Sequence, residues 1–232
     1  MSGIKNQTLN TDNFKYYKKG KKMKFLLTIV LGLILSSCAS HNIKYSPPTN
    51  KQGVTTKTTQ TSFKKTWEQL VEGLAGQNFV IDSVNKDSGL IVASKKLNPP
   101  SSFADCGNWN GYFKNQRVDE KYDFKGADSA TYVVKSGDYY TRVNRTANLN
   151  SKSNIFVKII DQSKTSITVN SQFNLKFDIN TSTYIYPQGD VYNKDTLVTE
   201  WASLDRGQVD KGGQTQCVSN YNIESSILNL AK

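Results

Sequence analysis

Between Asn154 and Ile179 the sequence NIFVKIIDQSKTSITVNSQFNLKFDI alternates apolar and polar residues with a period of two. Ile155, Val157 and Ile159, then Ile167, Val169, Phe173, Leu175, Phe177 and Ile179, all occupy odd positions. Successive side chains of a strand point to opposite faces, so the pattern predicts two long antiparallel strands with one face on a core and the other in water. Ser171 also falls on an odd position, where a polar residue reads as a bend or a bulge. A strand pair of this kind must find neighbours for its edges and cover for its apolar face.

Candidates for the cover stand at both ends of the domain. In TSFKKTWEQLVEGLAGQNF, the residues Phe63, Trp67, Leu70, Val71 and Leu74 share one helical face, with Thr61 or Ser62 as the cap and Gly76 at the end. In NYNIESSILNLAK, Ile223, Ile227 and Leu230 predict a closing helix behind Ser219 and Asn220. Neighbouring strands are predicted at Phe79–Val84 and Leu90–Ser94, a hairpin around Asn85-Lys86-Asp87-Ser88-Gly89, and at Thr131–Val134 and Arg142–Leu149. Residues 97 to 118, with Pro99-Pro100, Gly107 and Gly111, read as irregular. The expected fold is α+β: an antiparallel sheet with an N-terminal and a C-terminal helix packed on one face.

The charge of the 232-residue chain is concentrated at its start. Of 30 basic residues, seven precede Cys38, opposed there only by Asp12, which leaves 23 basic against 18 acidic residues from Cys38 onward. That balance, scattered along the sequence, is an ordinary solvated surface and gives no reason to expect nucleic acid. The seven lysines lead into an apolar run of 11 residues, Phe25 to Leu35. Such a run is short of the roughly 20 residues that span a bilayer and fits the apolar region of a secretory signal peptide. Met23 opens this pattern by itself, so residues 1–37 read as a signal peptide with an N-terminal extension.

Leu35-Ser36-Ser37-Cys38 resembles the lipobox of bacterial lipoproteins. The resemblance implies cleavage before Cys38 and acylation of that residue, and two or three acyl chains hold where one does not. Ala39 after the cysteine resembles the sorting signal for the outer membrane. Residues 38–60, polar and carrying Pro47-Pro48 and Gly53, then read as a lipidated flexible tether containing the only histidine, His41, solvated and without a role; residues 61–232 read as a single α+β periplasmic domain. Within it, SFKKTWEQLVEGLAGQNFVIDSVNKDSGLIV is similar to domains of the β-barrel assembly machine C type of lipoprotein, which implies a helix-grip fold over about 35 residues.

Beyond Cys38 two cysteines remain, Cys106 and Cys217, an even number in a compartment that oxidises thiols, and a disulfide between them is expected. No clustered metal ligands, nucleophile with a base, or nucleotide-binding fingerprint stands out, so neither metal nor cofactor nor enzymatic activity is expected. For binding, Trp109, Tyr112 and Phe113, with Tyr139, Tyr140 and Arg142, form a candidate surface, because Tyr, Trp and Arg favour the centres of interfaces. The expected protein is a non-enzymatic outer-membrane lipoprotein, its domain facing the periplasm or the cell surface. It would bind a protein partner as an accessory of envelope assembly or secretion, or, as the alternative, hold a small molecule or glycan in a helix-grip cleft.

Overall fold

The structure is a computed structural model that describes residues 40–49, 52–136, 139–185, 188–209 and 215–232, all within the unit Ser37–Lys232. Cys38 and the leader lie outside the described residues. The N-terminal half contributes β1 (Ser40–Ser46), β2 (Thr56–Thr59), α1 (Phe63–Gly76), β3 (Val80–Asn85), β4 (Leu90–Leu97), β5 (Ala104–Asp105), β6 (Asn108–Lys114) and β7 (Asp119–Lys125). There follow β8 (Ala130–Ser136), β9 (Tyr139–Ile159), β10 (Thr165–Ile185), β11 (Gly189–Ala202), β12 (Gly207–Gln208), β13 (Gln216–Ser219) and α2 (Asn222–Leu228).

The alternation read in the sequence builds β9 and β10, each 21 residues long, or roughly 70 Å at the rise of a strand. Their register is unbroken from Thr165 opposite Ile159 to Thr183 opposite Thr141. Odd positions are buried along almost the whole ribbon, from Val143 to Val157 and from Thr165 to Phe177. At one end β4 and β3 extend the sheet beyond β9 while β2 pairs with the start of β10; at the other, β8 pairs with the start of β9 and β11 with the end of β10. The predicted hairpin forms between β3 and β4, and Gly89, at φ +69°, approaches the Val157 carbonyl so closely that a Cβ there would stand 2.1 Å from its oxygen.

Trp67, Leu70 and Leu74 of α1 and Ile223 and Ile227 of α2 share one core with Ile91, Leu149, Ile155, Ile167, Phe173 and Leu175 of the sheet. These are the two helices the periodicity predicted. The expected α+β, helix-grip-like arrangement is nevertheless overturned: among the described residues strand accounts for 60% and helix for 13%, and the fold is mostly antiparallel β. The strands that change its class come from segments without strong alternation. Residues 40–46 and 56–59, read as tether, are β1 and β2, and nine residues of the stretch read as irregular form β5 and β6. A strand that pairs through its backbone and leaves one face wet needs no apolar run, so composition alone concealed them.

β1, β6 and β7 make a second sheet that packs along the edge of β8. His41 Nε2–H donates to the Val133 carbonyl (2.8 Å), and Phe113, Tyr122 and Val133 form a second, smaller core with Phe124, Tyr132 and Tyr140 at its border. Thus His41, expected to be solvated, closes a hydrogen bond on a strand edge, a place where unpaired groups invite aggregation. Ser171 marks no bulge: it stands opposite Ser153 in register and the two buried hydroxyls share a hydrogen bond of 2.9 Å. Its N–H donates to Ser203 Oγ (3.1 Å), which in turn donates to the fully buried Glu224 of α2. This polar seam ties β9, β10, the end of β11 and α2 together inside the core; Glu224 Oε1 is satisfied there, while its Oε2 is buried without a hydrogen-bond partner among the described residues.

Candidate functional site

The helix-free face of the large sheet carries the even positions, and there the sequence is polar. Register sets two consecutive rows across four strands: Ser94, Lys152, Gln172 and Ala202 in one, Lys96, Asn150, Asn174 and Glu200 in the next. Side chains directly opposite on one face are neighbours, so amides, ammonium groups and a carboxylate converge. A groove of about 720 Å³ runs over these rows, bounded by Val80 on β3 and by Asp205 after β11. Asn174 Nδ2 donates to Glu200 Oε1, which fixes one donor–acceptor pair, while Lys96 and Lys152 make no ion pair among the described residues. The groove lies on the open face of the sheet, not between sheet and helix as a helix-grip cleft would. Its volume falls in the range of ligand clefts, and its lining is richer in polar groups than is usual.

The six aromatic and basic candidates do not form one patch. Phe113 is buried in the second core, against Tyr140 at 5.1 Å between ring centres. Trp109 packs on Tyr45 at 4.7 Å, and its indole N–H is buried without a hydrogen-bond partner among the described residues. Arg142 donates to Glu120 (2.7 Å). Only Tyr112 and Tyr139 are exposed, and they belong to different sheets. The reason lies in the strand nature of 108–114: alternate residues face inward, so Trp109 and Phe113 are spent on packing while Tyr112 is left outside.

Glu120 organises a small electrostatic cluster. The Arg142 guanidinium beside it holds its carboxyl below the ordinary range despite burial, and Tyr122 donates its hydroxyl to the second oxygen (2.9 Å). Burial, and then the Glu120 carboxylate, push the Tyr122 phenol up to about 12. The sign follows from linkage: with the folded value above the ordinary 10, the folded state keeps its proton longer, so this contribution is complete below pH 10 and is lost as pH rises toward 12. Tyr122→Phe is therefore expected to flatten the alkaline limb of a stability–pH curve between pH 10 and 12, by about 3 kcal/mol at most. Urea titrations across that interval, with the phenolate absorbance recorded in parallel, measure it.

Cys106 and Cys217 are joined by a disulfide, as expected, and both are buried. Cys217 lies in β13 and Cys106 directly follows β5, and these two strands pair, so the bond closes the short sheet β12-β13-β5. Among the described residues no group of three metal-ligating side chains occurs and no helix is long and apolar enough to cross a membrane.

The groove residues escaped the sequence reading although a signal for them exists. Asn150, Lys152, Gln172 and Asn174 all sit on even positions of the strands whose odd positions form the core. Taken only as a wet face, they hid a run of amides. Fold and groove together define a mostly antiparallel β domain with an open, polar-lined groove on the helix-free face of its large sheet. No family model, curated protein or solved structure matches the chain.

Proposed function

We propose that the chain is a non-enzymatic lipoprotein of the bacterial envelope, acylated at Cys38 and sorted to the outer membrane, that holds a polyhydroxylated ligand, a glycan, on the open face of its large sheet. The groove over Lys96, Asn150, Lys152, Gln172, Asn174 and Glu200 carries this reading. Each hydroxyl of a sugar both donates and accepts, and a lining that mixes amides with ammonium and carboxylate groups supplies both partners at neighbouring points. Three lysines against Glu200 and Asp205 make a lining of mixed charge that matches no single strongly charged ligand, and an apolar one would strand the amides without partners.

The experiment is a titration of the isotopically labelled domain with neutral oligosaccharides, chitotetraose and maltoheptaose, followed by NMR. Shifts confined to residues around Asn150 and Asn174 are expected. Asn150→Ala with Asn174→Ala should weaken binding about tenfold or more, the loss of two or so hydrogen bonds. Absence of binding by both sugars, with binding by an extended peptide instead, would overturn the glycan. A protein partner, as an accessory of envelope assembly or secretion, is the second reading. It is favoured by β11, which ends the strand order of the large sheet and exposes Tyr192 and Val198. The lipid itself is tested by the mass of the N-terminal peptide of the native protein.

A further inference from the structure

β1 begins at Ser40, two residues after Cys38. Two residues reach about 7 Å at full extension, so an acylated Cys38 cannot let the domain drift from the bilayer; it holds the start of β1 at the headgroups. What lies beside Ser40 is fixed by register. Ser40 pairs with Lys114 and Lys114 with Asp119, so the β6–β7 turn, Asn115 to Val118, shares that end. His41 bonds to Val133 and its ring lies 6.3 Å from that of Tyr140, which brings the end of β8 and the start of β9 alongside. Thr141 stands opposite Thr183, and Ile185 opposite Gly189, so β10 ends and β11 begins there too.

This common end has a composition of its own. Tyr192 is 72% exposed, Tyr184 62% and Tyr139 46%, and Lys114, Arg117, Lys135 and Lys194 are exposed around them. The nearby acids include Asp119, held by Lys114 at 2.7 Å, and Asp190, which accepts from the Tyr192 hydroxyl at 3.4 Å. Tyrosine, apolar in its ring and polar at its tip, suits the membrane–water boundary, and lysine and arginine suit anionic headgroups. We propose that this strand-end surface is a membrane-contact face that sets the domain upright on the bilayer. The inference rests on the anchor at Cys38. It carries the glycan groove roughly 40 Å from the lipid, because Lys152 lies 13 residues along β9 from Tyr139.

The test uses the full chain purified from membranes and reconstituted in vesicles of phosphatidylethanolamine and phosphatidylglycerol that contain a headgroup spin-labelled lipid. A fluorophore is placed in turn at Gln116→Cys and Asn193→Cys, near the proposed face, and at Gln162→Cys, in the turn at the opposite end of β9 and β10. Strong quenching at 116 and 193 with little at 162 is expected. Equal quenching at all three, or none at 116 and 193 in a chain whose Cys38 is acylated by mass, overturns the contact face alone. Shielding of 116 and 193 from aqueous iodide without lipid quenching means that protein, a partner or a second copy, covers them, and also overturns it. A bare Cys38 thiol overturns anchor and face together.

Discussion

Replacing Cys106 and Cys217 together by alanine is expected to lower the stability of the folded domain more than any other pair of substitutions considered. The bond spans a sequence separation of 111 residues, and the restriction it places on the unfolded chain corresponds to about 4.7 kcal/mol for a loop of this order. For a chain of this size, that is a fall of about 10–15 °C in melting temperature. The loss should also be seen in the wild-type protein under strong reductant, because both thiols would then be free in the unfolded state. The measurement is a pair of thermal melts, with and without dithiothreitol. A variant that melts like the oxidised wild type would show that β5 and β13 hold together without the bond.

Arg145→Leu is expected to cost about 3–5 kcal/mol, read as a shift of the urea midpoint at unchanged slope. Arg145 is almost wholly buried, and its guanidinium donates to three main-chain carbonyls: Asp128 through Nε (3.1 Å), and Gly126 (2.8 Å) and Lys125 (3.3 Å) through Nη2. It also lies 4.6 Å from the ring centre of Phe177 and 5.1 Å from that of Phe124. Burial pulls its pKa below the ordinary value, opposed by Tyr132 and Asp128. Leucine would leave these carbonyls without their donor, and buried acceptors are costly to orphan. Arg145→Lys should recover only part of the loss, since one ammonium cannot reproduce the forked donation to three carbonyls. Full recovery by lysine would reduce the role of Arg145 to charge alone.

Arg145 also illustrates what the sequence could and could not disclose. Its odd position in β9 marked it for the core face, yet nothing in the sequence indicated that the β7–β8 turn would fold its carbonyls over that face. Long-range pairing is the general difficulty. β2 joins β10 across more than a hundred residues, Thr59 opposite Thr165, and the short TKTT segment looks like linker until its neighbour is known. The central ribbon, the 85–89 turn and the apolar stripe of α1 were legible because each signal is local: period two, a glycine able to take positive φ, period 3.6. The disulfide was legible by elimination once Cys38 was set aside. The groove was half legible, since its residues alternate with the core residues, but which rows stand side by side depends on register, and register belongs to pairs of strands and not to either one.

The unbroken length of β9 and β10 has a consequence for how the protein comes apart. Two hydrophobic clusters separated by a hinge would melt in separate steps, and one could persist without the other. Here the larger cluster and the smaller one draw on the same strand, β9: Leu149, Ile155 and Val157 belong to the first, and Tyr140 packs against the second. Loss of β9 would dismantle both clusters, so denaturation is expected as one cooperative transition, with fluorescence and far-UV dichroism coincident.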